Sequence, residues 1–246
     1  MPTAIELTDL HLRTYTRVLP RGPGVCDVCH GAPNAGWPRC WSCAQTVRQV
    51  SHPIELVVPI SLTELPGQLH HVLRSYKRDD YPASVRDGFR QQVSALLARF
   101  LWKHGHCVQT VAAEDWDCLT IVPSSQGRAG DHPLEGAIRL FPSLRDQYRA
   151  LLTPGTERAD HNRASDFAYA VTEDVSGLRV LLVDDTFTSG ARAQSAASAL
   201  QLAGARVVAM VPIGRVIRPE FSTESATLLA RARGEPFDFE VCCVER

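Results

Sequence analysis

The amino-acid sequence predicts an α/β fold in which a parallel sheet is flanked by helices and preceded by a small cysteine-rich segment. Three observations support this prediction: four apolar runs alternate with amphipathic segments, two Cys-x-x-Cys pairs lie near the N-terminus, and one apolar run ends on two adjacent aspartates. Strands that alternate with helices form parallel sheets, and such sheets bind ligands at the carboxyl ends of their strands. We therefore expect a ligand site at that edge of the sheet.

In the first half of the chain, the apolar pattern predicts an N-terminal helix, one strand and two further helices. Apolar residues at helical spacing over residues 5–19 predict the first helix, which the following prolines and glycines break. The apolar run 56–60 predicts a strand, and residues 65–76 are expected to form a helix. An apolar stripe predicts a longer helix over residues 82–103, which Gly105 is expected to end.

In the second half, strands and helices alternate and complete the predicted sheet. Strands are expected at residues 118–123, 179–184 and 207–213, and helices at residues 132–140, 143–152 and 219–233. Alanines and Leu200 at helical spacing predict another helix before the last strand, ending near Gly204. The polar stretch 153–165 has few apolar residues and is expected to be a mobile loop.

The composition fits one sizeable core with a small appendage. The chain has 246 residues, of which 44% are hydrophobic, and a net charge of -1, so no overall positive field attracts nucleic acid. No apolar run approaches the roughly 20 residues that cross a bilayer, and the first residues do not resemble a signal peptide. We therefore expect a cytoplasmic protein without membrane insertion, whose eight cysteines are metal ligands or free thiols.

Four cysteines have the spacing of a structural zinc site. Cys26 and Cys29 form one Cys-x-x-Cys pair, Cys40 and Cys43 form another, and a turn-rich stretch separates them. Two such pairs can complete a tetrahedron around Zn²⁺, which would stabilise a segment too small for its own core. A covalent haem site that uses His30 would leave the second pair unexplained. A thioredoxin-like redox pair is the other alternative, but no predicted strand precedes Cys26 to support it.

The two adjacent aspartates indicate a ribose-phosphate site. Asp184 and Asp185 follow the apolar run Val180–Val183, and a small polar turn and a helix follow them. Backbone N–H groups at a helix N-terminus bind phosphate, and neighbouring carboxylates can accept hydrogen bonds from sugar hydroxyls. The alternative is an ordinary strand end with a helix cap. Two adjacent acids repel each other there unless a cation or a ligand uses them.

The stretch from Val180 to Ala191 resembles the phosphoribosyl-pyrophosphate (PRPP) motif of type I phosphoribosyltransferases. That motif has four hydrophobic residues, two acids, two variable residues, threonine, threonine or serine, and glycine. With its four-cysteine segment, the chain resembles the ComF family of phosphoribosyltransferase-like proteins over roughly residues 24–217. The resemblance implies a type I phosphoribosyltransferase-like fold. The parts are a helical arm (1–23), a zinc knuckle (24–50), the phosphoribosyltransferase-like domain (51–217) and a C-terminal helix and tail (218–246).

The resemblance also implies the roles of individual residues. Asp184 and Asp185 would accept hydrogen bonds from the ribose hydroxyls, and Mg²⁺ would bind the pyrophosphate and ribose oxygens. Lys77 would contact pyrophosphate and, with the two aspartates, complete the catalytic set; its alternative is a solvated helix end. Arg163, in the polar stretch, is a further candidate for pyrophosphate. The 5-phosphate would be wrapped by Thr186, Phe187, Thr188, Ser189, Gly190 and Ala191.

Two features depart from the family pattern. ComF-like proteins usually carry Arg-Gly-Phe-Asn after the strand at 118–123, where this chain has Asp131-His-Pro-Leu-Glu135. Arg192 stands where a threonine or serine commonly follows Gly-Ala. Further candidate contacts with the ligand are Ser124, Ser125, Arg128, Arg158, His161 and Asn162.

The expected reaction transfers the phosphoribosyl group of PRPP to an acceptor with loss of pyrophosphate. The alternative is a non-catalytic regulator or adaptor that binds PRPP or a nucleotide. The family resemblance links such a protein to natural competence and DNA uptake, with single-stranded DNA or competence proteins as partners. A homodimer is also expected, because related domains often pair.

A second group of possible metal ligands has less support from the sequence. His104, His106 and Cys107 have the composition of a metal site, but a helix end with exposed histidines explains them as well. Cys242 and Cys243 have no partner at a recognisable spacing.

Overall fold

The computed structural model describes residues 2–124 and 132–245 and shows a mixed α/β architecture. The strands are β1 (Ser61–Glu64), β2 (Cys118–Ile121), β3 (Leu152–Pro154), β4 (Tyr169–Val171), β5 (Arg179–Phe187) and β6 (Arg206–Ile217). The helices are α1 (Ala4–Asp9), α2 (Trp41–Thr46), α3 (Gln68–Ser75), α4 (Ala83–Ala112), α5 (Pro133–Ile138), α6 (Pro142–Arg145), α7 (Ala191–Leu202) and α8 (Thr223–Arg233). Short 3₁₀ turns lie at Leu12–Thr14 and Pro219–Phe221.

Four strands form the central parallel sheet, in the order β1-β6-β5-β2. Side chains alternate across it, as the period of a strand requires. Leu181 and Val183 on β5 pack in the core that contains residues of α3, α4 and α8, whereas Val180 and Leu182 pack in the core that contains residues of α7 and the four cysteines. Both faces are therefore covered, which explains the continuous apolar runs in the sequence.

The predicted α/β class, the parallel sheet and the flanking helices are confirmed; two strands are longer than expected, and β2 ends two residues earlier. The last two strands continue to Phe187 and Ile217. The strand predicted at 56–60 begins with an isolated parallel bridge between Val57 and Met210 and becomes regular only at β1. Pro59, which has no N–H to donate, lies inside this irregular stretch.

The prediction of one helix over residues 5–19 is wrong. The helix α1 ends at Asp9, and after the 3₁₀ turn the chain becomes extended. Thr16 then pairs with Leu62 in antiparallel orientation, and its N–H donates to the Ser61 hydroxyl at 2.9 Å. The edge of the central sheet thus determines the conformation of this segment.

Gly105 does not end the long helix. The helix α4 continues to Ala112 and ends at Ala113, which has a left-handed backbone (φ 55°). Gly105 is buried inside it beside the Trp116 ring. Tertiary packing of the buried residues beyond it, including Val108, outweighs the local preference of glycine for a helix end.

The segments after β2 also differ from prediction. Of the helix expected at 143–152, only the single turn α6 forms, because Gln147 and Arg149 hydrogen-bond the backbone of Leu119 beside β2. The polar stretch expected as a mobile loop begins in β3, which pairs antiparallel with β4. This pairing holds the two ends of the stretch together.

Candidate functional site

A cavity of about 800 Å³ lies at the carboxyl end of β5. Its position at the end of a parallel strand is the one expected for a ligand site in an α/β sheet. The end of α3, the start of α7 and part of the polar stretch surround it. Its described lining consists of Leu65, His70, Leu73, Arg74, Lys77, Arg78, Asp160, His161, Asp184, Asp185, Thr186, Phe187, Thr188, Ser189, Gly190, Ala191, Arg192, Ala193 and Arg218.

Asp185 is buried at the cavity and binds the end of α3. Its Oδ2 atom accepts a short hydrogen bond from the Tyr76 hydroxyl and lies 2.5 Å from Lys77 Nζ. Burial opposes ionisation of Asp185, but the charge of Lys77 and the hydrogen bonds from Lys77 and Tyr76 outweigh it and keep the pKa below its ordinary value. Asp185 is therefore a carboxylate that holds Lys77 at the cavity.

Asp184 has a different environment from its neighbour. It is less buried than Asp185 but still largely shielded from solvent, and its Oδ1 atom accepts a hydrogen bond of 2.9 Å from the Asp185 backbone N–H. Burial, followed by the charge of Asp185, raises the pKa of Asp184 to about 7. A bound cation or a hydroxyl donor would favour the ionised form. Asp184 is thus the acid of the pair that is better placed to meet a ligand.

A polar turn joins the end of β5 to the N-terminus of α7. We call residues 186–190 the phosphate loop. It ends at Gly190, whose φ of 82° is left-handed and which precedes the 12-residue helix α7. A Cβ atom at Gly190 would lie 2.4 Å from Phe187 Cζ, so only glycine fits this turn. The first N–H groups of α7, which have no acceptor within the helix, start beside the cavity.

The polar stretch contacts the phosphate loop through its backbone. The N–H of Asn162, which has a left-handed φ of 61°, donates to Ser189 Oγ at 3.1 Å. This contact brings Asp160 and His161 to the cavity. Arg163 follows Asn162 and is exposed, and it is not among the described residues that line the cavity. Arg158 is also exposed and outside the described lining.

Positive charge surrounds the phosphate loop. Five cationic side chains line the cavity: Arg74, Lys77, Arg78, Arg192 and Arg218. Arg78 also pairs with Asp80 outside the lining, and the other four cations still exceed the three aspartates of the lining. The cavity therefore suits a polyanion that also offers groups to a carboxylate. Sequence reasoning identified Lys77 but missed Arg74 and Arg218, because neither lies in a recognisable motif.

A smaller cavity adjoins the first. It has a volume of about 240 Å³, and Ser124, His132 and Arg192 line it together with Lys77 and both aspartates. The candidate residues Ser125 and Arg128 lie outside the described residues, as does Asp131 of the segment that departs from the family pattern.

We call residues 24–50 the cysteine knuckle. Its four cysteines form one buried cluster. Their sulfur atoms lie within 4.8 Å of one another, and Cys29 Sγ is 3.7 Å from Cys40 Sγ. The N–H of Cys40 donates to Cys26 Sγ, and that of Cys43 donates to Cys40 Sγ, at 3.3 and 3.4 Å. Sulfur atoms that converge and accept backbone hydrogen bonds suit thiolate ligands. The predicted cluster is confirmed and is compatible with structural zinc.

Arg215 connects the cysteine knuckle with the phosphate loop. Its guanidinium is buried, and its Nη1 atom donates to the carbonyl oxygens of Phe187 and Thr188 at 3.3 and 3.0 Å. On the other side, Gly31 approaches so closely that a Cβ atom there would lie 2.5 Å from Arg215 Nη2. Burial opposes the charge of Arg215, but the sulfur atoms of Cys29 and its neighbours outweigh it and raise the pKa of the guanidinium.

No protein-family model matches this chain, and no curated protein matches it. Within residues 2–124 and 132–245, none of the helices has the length and apolar character needed to cross a membrane.

Proposed function

We propose that this protein binds PRPP with Mg²⁺ and transfers its phosphoribosyl group to an acceptor with displacement of pyrophosphate. One observation carries the proposal: the adjacent acids, the phosphate loop and five cations line a single cavity. An acid pair alone would fit a cation, and a helix N-terminus alone would fit any anion. Their combination matches a ligand with sugar hydroxyls between two phosphate groups.

The phosphate loop would bind the 5-phosphate. Its backbone N–H groups, those of Ala191 and Arg192, and the hydroxyls of Thr188 and Ser189 are the donors. Gly190 allows the backbone to come close, because it has no Cβ. Asp184 would accept hydrogen bonds from the ribose hydroxyls. Asp185, which is buried under Lys77, would mainly position that lysine.

The pyrophosphate would lie toward the end of α3. Lys77 and Arg74 are the cations there, and Mg²⁺ bound with PRPP would neutralise further negative charge on its oxygens. As the acceptor forms its bond to C1, the bond from C1 to the pyrophosphate oxygen breaks. Positioning and neutralisation of the leaving group supply most of the rate enhancement. Arg163, exposed beside the cavity, remains a candidate contact once the polar stretch closes over the ligand.

The cysteine knuckle would bind a structural zinc ion. Four thiolates close the coordination sphere and leave no position for substrate, so the ion has no chemical role in the transfer. Its role would be to order the knuckle, which in turn presents Gly31 to Arg215. The location that fits free thiols and PRPP is the cytoplasm.

A second candidate function is binding of PRPP without turnover. Its supporting observation is the burial of Asp185, which is engaged by Tyr76 and Lys77 and leaves one acid of the pair more exposed. Such a protein would be a regulator or adaptor, with single-stranded DNA or a competence protein as partner.

Pyrophosphate release in the presence of PRPP and Mg²⁺ separates the two functions. The acceptor panel should include water, the nucleobases and ammonia, and ribose 5-phosphate should replace PRPP in the control. Release with one acceptor supports transfer. PRPP binding without pyrophosphate release in the presence of any acceptor supports the regulator. Absence of PRPP binding contradicts both proposed functions.

A further inference from the structure

A second cluster of metal-ligand side chains lies outside the cavity and the cysteine knuckle. His104 and Cys107 come from α4, and Cys242 and Glu245 come from the C-terminal tail. One ligand atom from each of the four residues lies within 4.8 Å of the others. Each pair is three residues apart, a spacing that places two side chains on one side of a helix or a turn. The fold thus joins two short chelating pairs that are more than a hundred residues apart in sequence.

The hydrogen bond of His104 directs a lone pair into this cluster. Its Nε2 atom lies 2.8 Å from the carbonyl oxygen of Phe239, which can only accept, so Nε2 carries the hydrogen. In the neutral imidazole, Nδ1 then presents its lone pair at 3.7 Å from Cys107 Sγ and 3.4 Å from Glu245 Oε1. Histidine ligands of metals commonly donate their other N–H to a backbone carbonyl in this way.

Glu245 is also held in an orientation suited to a ligand. Its Oε2 atom accepts a hydrogen bond of 2.9 Å from the Cys242 backbone N–H, which leaves Oε1 facing the sulfur of Cys107 at 3.2 Å. The neighbouring His106 places Nε2 3.3 Å from the same sulfur, where it can donate to a thiolate. The carboxylate and the imidazole acceptor of His104 therefore face each other, an arrangement that a cation between them stabilises.

The buried thiols fit a metal site better than a solvent-exposed reactive site. Cys107 and Cys242 are 7% and 8% exposed. Binding of a divalent cation would release the two thiol protons.

We propose that His104 Nδ1, the sulfur atoms of Cys107 and Cys242, and one oxygen of Glu245 bind a second zinc ion. Two thiolates, one imidazole and one carboxylate are a donor set that zinc accepts in tetrahedral geometry. Four protein ligands close the coordination sphere, so the site is structural.

The ion would link α4 to the C-terminal tail, the residues after α8. Within the described residues, the tail beyond α8 has no helix or strand. Besides the cluster, aromatic contacts and ion pairs hold it: Phe237 and Phe239 meet Tyr15 at ring-centroid distances of 5.3 and 6.4 Å. Glu235 and Glu240 pair with Arg17 and Lys103. A metal would supply ordering free energy to this irregular segment, as it does in small metal-dependent folds.

Metal analysis of the full chain, produced with zinc and purified without chelator, tests this proposal. The wild-type protein should carry two zinc ions per chain, and Cys107→Ala and Cys242→Ala should each retain one. Cys243→Ala is the matched control and should retain both. It removes a buried thiol from the same tail, but its sulfur contacts the carbonyl oxygen of Pro59 instead of the cluster.

Glu245→Gln provides a variant that is expected to fold, because the Glu245 side chain is 34% exposed. Its second zinc should transfer to a chromogenic chelator at least about 10-fold faster than in the wild type. The proposal would be overturned if the wild type and Cys107→Ala each carried one zinc ion. It would also be overturned if Cys107 and Cys242 formed a disulfide in the purified protein. PRPP binding is measured separately, and no residue of this cluster lines the described cavity.

Discussion

Arg215 Nη1 donates a hydrogen bond to the carbonyl oxygen of Thr188 at 3.0 Å, from a guanidinium that also lies against the cysteine knuckle. This contact couples the proposed zinc site to the proposed phosphate site. A change in the knuckle would therefore reach the phosphate loop through one side chain. Neither motif contains Arg215, which lies on β6, the strand next to the one that carries the acids.

Replacing Arg215 by methionine should destabilise both sites. The change leaves the loop carbonyls without their donor and the thiolates without their countercharge, which costs on the order of 3 kcal/mol. Thermal unfolding and the rate of zinc transfer to a chelator measure the effect. Arg206→Met is the control, since Arg206 lies on the same strand but forms an ion pair with Glu114 from an exposed position. Equal behaviour of the two variants would contradict the coupling.

Replacing Cys26 by serine should release the zinc ion of the knuckle. One of four ligands is lost, and metal analysis should show one ion fewer than in the wild type. We also expect a lower melting temperature, because the knuckle depends on the metal for its order. Cys243→Ser, which changes a buried thiol outside both clusters, should keep the wild-type zinc content. Unchanged zinc in Cys26→Ser would exclude the proposed four-cysteine site.

Gly190→Ala should weaken PRPP binding more than it weakens the fold. The new Cβ atom would collide with the Phe187 ring and displace the phosphate loop, so we expect at least about a 10-fold loss of affinity, or about 1.4 kcal/mol. Gly177→Ala is the control: its φ of 72° is also left-handed, but a Cβ atom there meets nothing within 4 Å. That variant should lose roughly 1 kcal/mol of stability and bind PRPP normally.

Lys77→Met should reduce the affinity for PRPP and not for ribose 5-phosphate. The lysine is placed for pyrophosphate, so its removal should cost about 10-fold on PRPP, while the loop still binds the 5-phosphate. Calorimetric titration of both ligands gives the two affinities. Lys103→Met, which removes a lysine paired with Glu240 outside the cavity lining, should change neither. An equal loss of affinity for PRPP and ribose 5-phosphate would contradict the proposed contact between Lys77 and the pyrophosphate.

The acid Asp184 should make the stability of the protein depend on pH. Its folded pKa of about 7 lies above its ordinary value of 3.8, so the folded state holds a proton that the unfolded state releases. Stability contributed by this group therefore falls as pH rises from about 4 to 7. The melting temperature of Asp184→Asn relative to wild type should increase between pH 5 and pH 8.

Asp174→Asn is the control for that pH dependence. Backbone and side-chain hydrogen bonds from Ser176 lower the pKa of the exposed Asp174 below its ordinary value of 3.8. Asp174 is therefore ionised in both the folded and the unfolded state at pH 5 and above, and its contribution to stability no longer changes with pH. The difference in melting temperature for this variant should stay constant between pH 5 and pH 8. A constant difference for Asp184→Asn as well would contradict the raised pKa.

Local patterns predicted the parts of the fold that local forces determine. The apolar run before Asp184 had to be a buried strand, and the following glycine and alanines had to start a helix. The cysteine cluster was predictable because its spacing is short. Gly105 was misjudged, since the packing of α4 outweighs the cost of one glycine.

The remaining site residues could not be predicted because distant segments bring them together. Tyr76 reaches Asp185 across 109 positions of sequence, and no local signal distinguishes it from an ordinary core tyrosine. Arg215 is a buried charge among the apolar residues of β6, whereas Arg206 lies exposed at the start of that strand. The charge of Arg215 was a usable signal, because a buried arginine requires a partner. Cys242 and Glu245 could be recognised as possible metal ligands only from the structure, because it places the tail beside His104.

Calorimetric titration of PRPP with Mg²⁺ into the wild-type protein and into Asp184→Asn/Asp185→Asn tests the central claim most directly. Asp146→Asn, an exposed acid paired with Arg145, serves as the control, and thermal unfolding verifies that each variant is folded. We expect saturable binding to the wild type and the control, and at least about a 100-fold loss, or about 2.7 kcal/mol, in the double variant. Equal affinity in all three folded proteins, or no binding to the wild type, would contradict the proposed PRPP site.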